Sequence, residues 1–144
     1  MSRAVAVYFY GSYINDQVLA ESGITLTHWD AARLDGFDIV IAPRANLVPK
    51  DGASVYGILT QVTHEQLERL YHHARTVLGE TYLPEAVMVT TNANRQYPAL
   101  CYICHDMVPR SPDPAYVSRI LTPGRKYGFP EAYLARIEAT ADVG

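Results

Sequence analysis

Cysteines, basic clusters and long apolar runs are all scarce in this chain, and each scarcity argues against a class of protein. Two cysteines in 144 residues argue against a structural zinc site, which usually needs four convergent ligands. A formal net charge of −3 without a basic cluster argues against nucleic acid or an anionic membrane as a partner. The longest apolar run is too short to span a bilayer and lacks the flanks of a signal peptide, so we expect a cytoplasmic protein.

Tryptophan and phenylalanine are also rare, whereas tyrosine is abundant. The chain holds one tryptophan and three phenylalanines against eleven tyrosines. A tyrosine buries its ring while its hydroxyl keeps a hydrogen bond, which suits a cavity wall and the edge of a core equally well. The composition is 49% hydrophobic and 19% charged, without repeats or a linker, and it predicts one globular domain over residues 1–144.

The pattern of apolar and turn-forming residues predicts short strands mixed with a few helices. Strand-like segments fall at 4–10, at 31–42 with a turn at Asp35-Gly36, and at 53–62, 86–91 and 99–104. Residues 44–51 are polar and contain Pro49, so we predict a loop there. Most links between strands are too short for βαβ crossovers. We therefore predict an α+β fold, a small mixed β-barrel of about six strands flanked by short helices.

Helix signals occur at four places in the chain. A short helix is predicted over 15–22, and a longer one follows the capping box Thr63-His64-Glu65-Gln66 and ends near Gly79. Two more are predicted over 114–121 and 130–140, each opened by a proline at its first position.

The segment Tyr8-Phe9-Tyr10-Gly11-Ser12-Tyr13-Ile14 is the most informative motif. An apolar strand that ends on Gly-Ser can turn so that several backbone N–H groups point into one cavity, where they hold a carboxylate or an oxyanion. An ordinary turn after a first strand explains the same residues equally well. On the first interpretation Gly11 adopts a backbone angle that only glycine takes easily. The substrate-binding candidates are then Tyr10, Gly11, Ser12, Tyr13 and Ile14.

This motif resembles the Tyr-Gly-Ser-Asn signature of the gamma-glutamylcyclotransferase-like (AIG2-like) family, with Tyr13 in place of the asparagine. Further similarities follow in the family's order, at residues 34–37, 52–59, 66–70, 116–120 and 128–137. The resemblance covers nearly the whole chain and implies a small barrel-like fold. For an active member it implies cyclisation of a γ-glutamyl amide to 5-oxoproline with release of an amine, without a metal or organic cofactor.

The resemblance also locates a departure at the catalytic residue. Active members carry a glutamate about four residues after a Leu-Asp pair in the helix that begins near residue 64. In this chain the aspartate is replaced by Tyr71 and the glutamate by Ala74. The glutamate moves a proton from the attacking amine to the leaving nitrogen, and alanine cannot do that.

Nearby acid–base groups are candidates to replace the missing glutamate. Glu80 ranks first because it lies just before Tyr82, where the next strand is predicted to begin. Tyr82 itself is a further substrate-binding candidate. His73, from the pair His72-His73, ranks second because histidine exchanges protons near neutral pH. Glu85 is a third candidate. The alternatives are a solvated surface carboxylate for each glutamate and the polar face of a helix for the histidines.

The sequence leaves three functions open. They are cyclisation of a γ-glutamyl amide, a non-catalytic module that binds small carboxylates on the same fold, and a related activity on another carboxylate-bearing amide. Because Ala74 cannot carry a proton, we expect turnover of γ-glutamyl amides to be absent or very low. The expected partner is a small-molecule carboxylate or a γ-glutamyl amide, with no nucleic acid and no membrane, and a homodimer is left open.

A competing motif, Cys101-Tyr102-Ile103-Cys104-His105, matches the attachment pattern of c-type haem. The apolar residues around it favour a strand, on which positions three apart face opposite sides. Two thioether bonds to one haem need both cysteines on one side. We therefore predict two reduced core cysteines without haem, metal or a disulfide between them.

Overall fold

The computed structural model describes residues 4–142, and its strands form a closed five-stranded barrel. The strands are β1 (Ala4–Phe9), β2 (Trp29–Ile41), β3 (Ala45–Thr63), β4 (Leu83–Thr91) and β5 (Gln96–Ile103), in the order β1-β3-β2-β4-β5. Neighbouring strands are antiparallel except β1 and β5, which run parallel and meet at Val7 and Leu100. The predicted α+β class with a small mixed barrel is confirmed.

Four α-helices flank the barrel within the described residues. They are α1 (Asp16–Glu21), α2 (His64–His73), α3 (Pro114–Tyr127) and α4 (Glu131–Asp142). A 3₁₀ turn at Ser12–Ile14 precedes α1, and α2 continues as a π-helix over Ala74–Leu78. None of the helices in this part of the chain is long and apolar enough to cross a bilayer.

The capping box predicted at the start of α2 is confirmed by both of its hydrogen bonds. The Gln66 N–H donates to Thr63 Oγ1 at 3.1 Å, and the Thr63 N–H donates to Gln66 Oε1 at 2.8 Å. The predicted end is also confirmed, since Gly79 follows the π-helix with a φ of +78°. α3 runs six residues beyond the predicted Leu121, through a buried Pro123, and stops at Gly128 with a φ of +78°. α4 starts at Glu131, one residue after the proline that was predicted to open it.

Two predictions in the β2–β3 region are wrong. Residues 31–42 contain no turn: β2 is one strand with a register shift between Asp35 and Phe37, where Gly36 takes a φ of +85°. Residues 44–51 are not a loop, because β3 begins at Ala45 and Pro49 pairs with Phe37. β1 pairs with β3 only from Ile58 onward, so Pro49 lies on a strand edge where a missing N–H is tolerated.

The end of β1 lies very close to β3, and Gly11 makes that approach feasible. A Cβ added at Gly11 would lie 2.5 Å from the Cβ of Ala45, which is far inside van der Waals contact. The φ of Gly11 is −86°, so the predicted glycine-only backbone angle is wrong. The glycine is required because of space and not because of its backbone conformation.

A buried carboxylate fastens α4 to β2. Asp38 is 8% exposed and accepts hydrogen bonds from Arg136 Nη2 at 2.7 Å and 2.8 Å. The Ile39 N–H donates to the same carboxylate at 3.0 Å. Without the Arg136 guanidinium, the buried carboxylate of Asp38 would keep the Ile39 N–H as a donor and Lys50 Nζ, which is 3.8 Å from Asp38 Oδ2. A buried charge that loses its partner is destabilising.

We predict that Arg136→Ala lowers the free energy of unfolding by about 1–2 kcal/mol, because Asp38 loses its charged donor. The expected loss is modest because the Arg136 side chain is 56% exposed, so that water screens the ion pair. The matched control is Arg125→Ala, whose pair with Glu138 is exposed on both sides at 3.7 Å. This control should change the free energy of unfolding by about 0.5 kcal/mol or less. Urea titration measures the free energy of unfolding for both variants. Equal effects of the two variants would contradict the role given to Asp38.

A second prediction concerns the contact between Gly11 and Ala45. Gly11→Ala should destabilise the protein by about 1–3 kcal/mol through overpacking. Ala45→Gly in the same protein removes the opposing Cβ. The double variant should therefore lose less unfolding free energy than the two single variants lose together. A double-mutant cycle by urea denaturation measures this coupling. Strict additivity would show that the two positions do not press on each other.

Candidate active site

The loop of residues 10–14 continues directly from β1 into the centre of the fold. Tyr10, Gly11, Ser12, Tyr13 and Ile14 are all buried, and Tyr10 and Ile14 are fully inaccessible to solvent. The Ile14 N–H donates to the Gly11 carbonyl at 3.2 Å, which closes the 3₁₀ turn. The loop is therefore internal and held by its own main chain.

Two backbone N–H groups of this loop converge on one oxygen. The N–H of Tyr10 and the N–H of Gly11 donate to the hydroxyl of Tyr102 at 3.1 Å and 3.3 Å. Two donors on a single oxygen is the arrangement that stabilises an oxyanion. Here the oxygen belongs to the protein itself. Burial raises the pKa of Tyr102 well above its usual value although the two N–H groups lower it, so the phenol is neutral.

Further tyrosines fill the space around this contact. The rings of Tyr10 and Tyr102 stack with centroids 4.5 Å apart, and the Tyr10 hydroxyl donates to the Tyr102 carbonyl at 2.7 Å. The Tyr82 hydroxyl donates to the Ala45 carbonyl at 2.6 Å, while the Ala45 N–H donates to the Tyr116 hydroxyl at 2.8 Å. The abundance of tyrosine thus serves an aromatic core with internally bonded hydroxyls, and not the wall of an open cavity.

Ser12 is the one loop residue whose side chain keeps unused hydrogen-bonding capacity. Its Oγ is buried without a hydrogen-bond partner of good geometry among the described residues, although it faces the Tyr116 hydroxyl. A buried hydroxyl without a well-aligned partner is costly, so Ser12 is the least satisfied polar group of the loop.

Tyr13 connects the loop to α2. Its hydroxyl lies 3.0 Å from His73 Nδ1 and 3.4 Å from the Leu70 carbonyl, and its one proton can be donated to either. His73 is 4% exposed, and its Nε2 lies 2.8 Å from Oε1 of Glu21 at the end of α1. We call the hydrogen-bonded series Tyr13–His73–Glu21 the tyrosine–histidine relay. It leads from the buried loop to a carboxylate that is 40% exposed.

The structure separates the residues that the sequence offered as acid–base groups. Ala74 is fully buried at the start of the π-helix, directly after His73. Glu80 does not contact the loop through any hydrogen bond found in the described chain; its Oε2 lies 3.6 Å from Cys104 Sγ. Glu85 is exposed on β4, opposite Cys101. Among these candidates, His73 hydrogen-bonds to a loop residue, whereas Glu80 contacts Cys104.

Glu21, Tyr102 and Tyr116 were not singled out by the sequence. Their partners lie far away along the chain, 52 residues away for Glu21 and 92 for Tyr102. The abundance of tyrosine was a signal for the two tyrosines, whereas no pattern in the sequence singled out Glu21.

Both cysteines are buried and their thiols are free. Burial raises the pKa of the Cys101 thiol to about 12, so it stays protonated at physiological pH. No group of three or more histidine, cysteine, aspartate or glutamate side chains that could hold a metal ion occurs within residues 4–142.

Solved structures with the same fold include several cyclotransferases. A gamma-glutamyl cyclotransferase superimposes with a TM-score of 0.81 at 19% identity, covering 95% of this chain and 88% of that one. The human protein loc79017 gives a TM-score of 0.82 at 18% identity, covering 94% and 87%. A yeast gamma-glutamyl cyclotransferase specific to glutathione gives 0.65 at 14% identity, covering 99% and 96%. At these identities the likeness shows a shared fold.

Sequence comparison gives the family. None of the curated proteins matches the chain. Residues 54–137 match the sequence model of the AIG2-like family, and they include α2, the π-helix, β4, β5 and α3. Since this match spans more than half of the chain and the fold is that of gamma-glutamyl cyclotransferases, the protein belongs to the AIG2-like family.

Proposed function

We propose that this chain is a gamma-glutamylcyclotransferase-like protein that does not efficiently cyclise γ-glutamyl amides. It keeps the family's fold and a convergent pair of N–H groups, but within the described residues Tyr102 covers that pair, and Ala74 stands at the position expected for the carboxylate. The observation that carries the proposal is the Tyr102 hydroxyl, which occupies the N–H groups of Tyr10 and Gly11. A substrate oxygen can reach those donors only when Tyr102 moves away.

The chemistry of cyclisation explains why the missing carboxylate matters. The α-amine of the substrate attacks its own γ-carbonyl, a new C–N bond closes the five-membered ring, and the original amide C–N bond breaks. A proton must leave the attacking amine and reach the departing nitrogen. General acid–base help of this kind is worth about 10²–10⁴ in rate, and Ala74 supplies none.

The ligand class that can compete for the loop is a small carboxylate, including the carboxylate of a γ-glutamyl amide. An ionised carboxylate accepts stronger hydrogen bonds from N–H groups than a neutral phenol does. The proposed role is therefore weak, non-catalytic binding of a small carboxylate. Two free thiols agree with the cytoplasm as the proposed compartment.

Tyr102→Phe tests whether the phenol hydroxyl satisfies the two loop N–H groups. We expect the free energy of unfolding to fall by about 1–3 kcal/mol, because two buried donors lose their acceptor. The control is Tyr97→Phe on the same strand, where the side chain is 39% exposed and a change within about 0.5 kcal/mol is expected. A Tyr102 variant as stable as the Tyr97 variant would remove the observation on which the proposal rests.

Release of 5-oxoproline from several γ-glutamyl amides tests the activity itself. We expect the unmodified protein to show little or no release above the uncatalysed rate. Tyr13→Asn combined with Ala74→Glu restores two residues of the family pattern. Since Tyr102 still has to move away from the loop N–H groups, we expect the gain in 5-oxoproline release to stay at the low end of general acid–base help, about a hundredfold over the unmodified protein. Ala74→Glu alone should give no such gain, because Tyr13 still fills the space beside α2. Circular dichroism and thermal melts confirm that each variant is folded.

Robust release by the unmodified protein would contradict the proposal. The proton shuttle would then be sought in the tyrosine–histidine relay, since His73 contacts the loop residue Tyr13. Loss of that release in His73→Gln, with full release in Glu80→Gln, would assign the role to His73.

A further inference from the structure

An open cleft lies beside the tyrosine–histidine relay, on the outside of the barrel. It has a volume of about 610 Å³ and lies between the end of α1 and the outer face of α2 with its π-helix. Residues that line it include Glu21, Ser22, Arg69, His73, Arg75 and Val77. We call it the α1–α2 cleft. It is separate from the buried loop of residues 10–14.

The cleft carries charges of both signs. Glu21 supplies a carboxylate on the α1 side. Arg69 and Arg75 supply exposed guanidinium groups on the α2 side, although the exposed Glu68 and His72 also border the cleft there. Arg69 makes only a long contact of 3.5 Å, to the Gly23 carbonyl. For the side chain of Arg75, no hydrogen bond or ion pair was found within the described part of the chain.

The relay holds the Glu21 carboxylate in a fixed orientation. With His73 neutral, Nε2–H donates to Glu21 Oε1 while Nδ1 accepts from the Tyr13 hydroxyl. With His73 protonated, Nδ1–H donates to Tyr13, and the Tyr13 proton turns to the Leu70 carbonyl at 3.4 Å. Every donor keeps an acceptor in both states. The second oxygen of Glu21, Oε2, is ion-paired with Arg119 at 3.8 Å, but this distance is beyond that of a hydrogen bond, so Oε2 can still accept one.

Ser22 gives an independent sign of a polar ligand. It borders the cleft at 7% exposure, and its Oγ is buried without a hydrogen-bond partner among the described residues. Such a group in a native protein calls for an explanation, and a ligand or water that enters beside it supplies the missing bond.

We propose that the α1–α2 cleft binds a small zwitterion, a molecule with an ammonium group at one end and a carboxylate at the other. The ammonium binds Oε2 of Glu21, whose carboxylate His73 holds in place and which is otherwise paired with Arg119 at 3.8 Å. The carboxylate binds Arg75, and Arg69 adds a second guanidinium. A methylene chain between the two ends packs on Val77, which is 56% exposed. This site goes beyond the proposed function, because it needs neither the buried loop nor any turnover.

Titration of the full-length protein with three matched probes, followed by ¹⁵N-resolved NMR, tests the proposal. The probes are 6-aminohexanoate, which carries both charges, hexanoate, which lacks the ammonium, and hexylammonium, which lacks the carboxylate. We expect saturable binding of 6-aminohexanoate with shifts confined to residues 21–23 and 68–77. Each single-charge probe should bind about tenfold more weakly, since it loses one charge-assisted contact.

Variants separate this site from non-specific charge effects. Glu21→Gln and Arg75→Gln should each weaken 6-aminohexanoate binding about tenfold, whereas Glu21→Gln should not weaken hexanoate binding, because it removes a negative charge from the cleft. The controls are Glu131→Gln and Arg95→Gln, which remove the same charges away from the cleft and should leave every Kd unchanged. The proposal is overturned if hexanoate binds as tightly as 6-aminohexanoate, if Arg75→Gln has no effect, or if no probe saturates. These outcomes are independent of any 5-oxoproline measurement.

Discussion

The hydroxyl of Tyr102 is the contact on which the centre of this protein depends. It accepts the N–H groups of Tyr10 and Gly11, at the point where β1 ends and the family's binding loop begins. Buried N–H groups must have an acceptor, so something has to occupy that position in every stable state of the fold. Here a neutral side chain from β5 does so. The tight approach of Gly11 to Ala45 and the stacking of Tyr10 on Tyr102 follow from this closed arrangement.

Tyr13 and Ala74 lie in one packed region at the end of α2. Tyr13, in place of asparagine, extends its phenol to Leu70 and His73, in the turn of α2 that precedes Ala74. A buried phenol needs hydrogen-bond partners, and α2 supplies them. Ala74 is fully buried and directly follows His73, so a longer side chain at this position would have to displace atoms that are already packed.

Local signals were predicted from the sequence, whereas contacts between distant residues were not. The capping box of Thr63 and Gln66 and the stop at Gly79 depend on neighbours within a few residues, and both predictions are confirmed. Pro49 was assigned to a loop because its edge position depends on which strand lies beside β3. Gly11 was singled out for the wrong reason, since its close neighbour Ala45 is 34 positions away. The roles of Glu21 and Tyr102 arise from pairs separated by 52 and 92 residues, which no local pattern encodes.

Because the loop of residues 10–14 is buried, the polar groups connected to it become accessible to solvent only at the surface. Within the relay, Tyr13 and His73 are buried and Glu21 is 40% exposed, so polarity increases outward from the barrel. A histidine whose two nitrogens both have partners fixes the orientation of the carboxylate that it contacts. Pre-organised charges bind ligands better than mobile ones, because less side-chain entropy is lost on binding. The packing of Tyr13 against His73 therefore also orders the Glu21 carboxylate at the wall of the α1–α2 cleft.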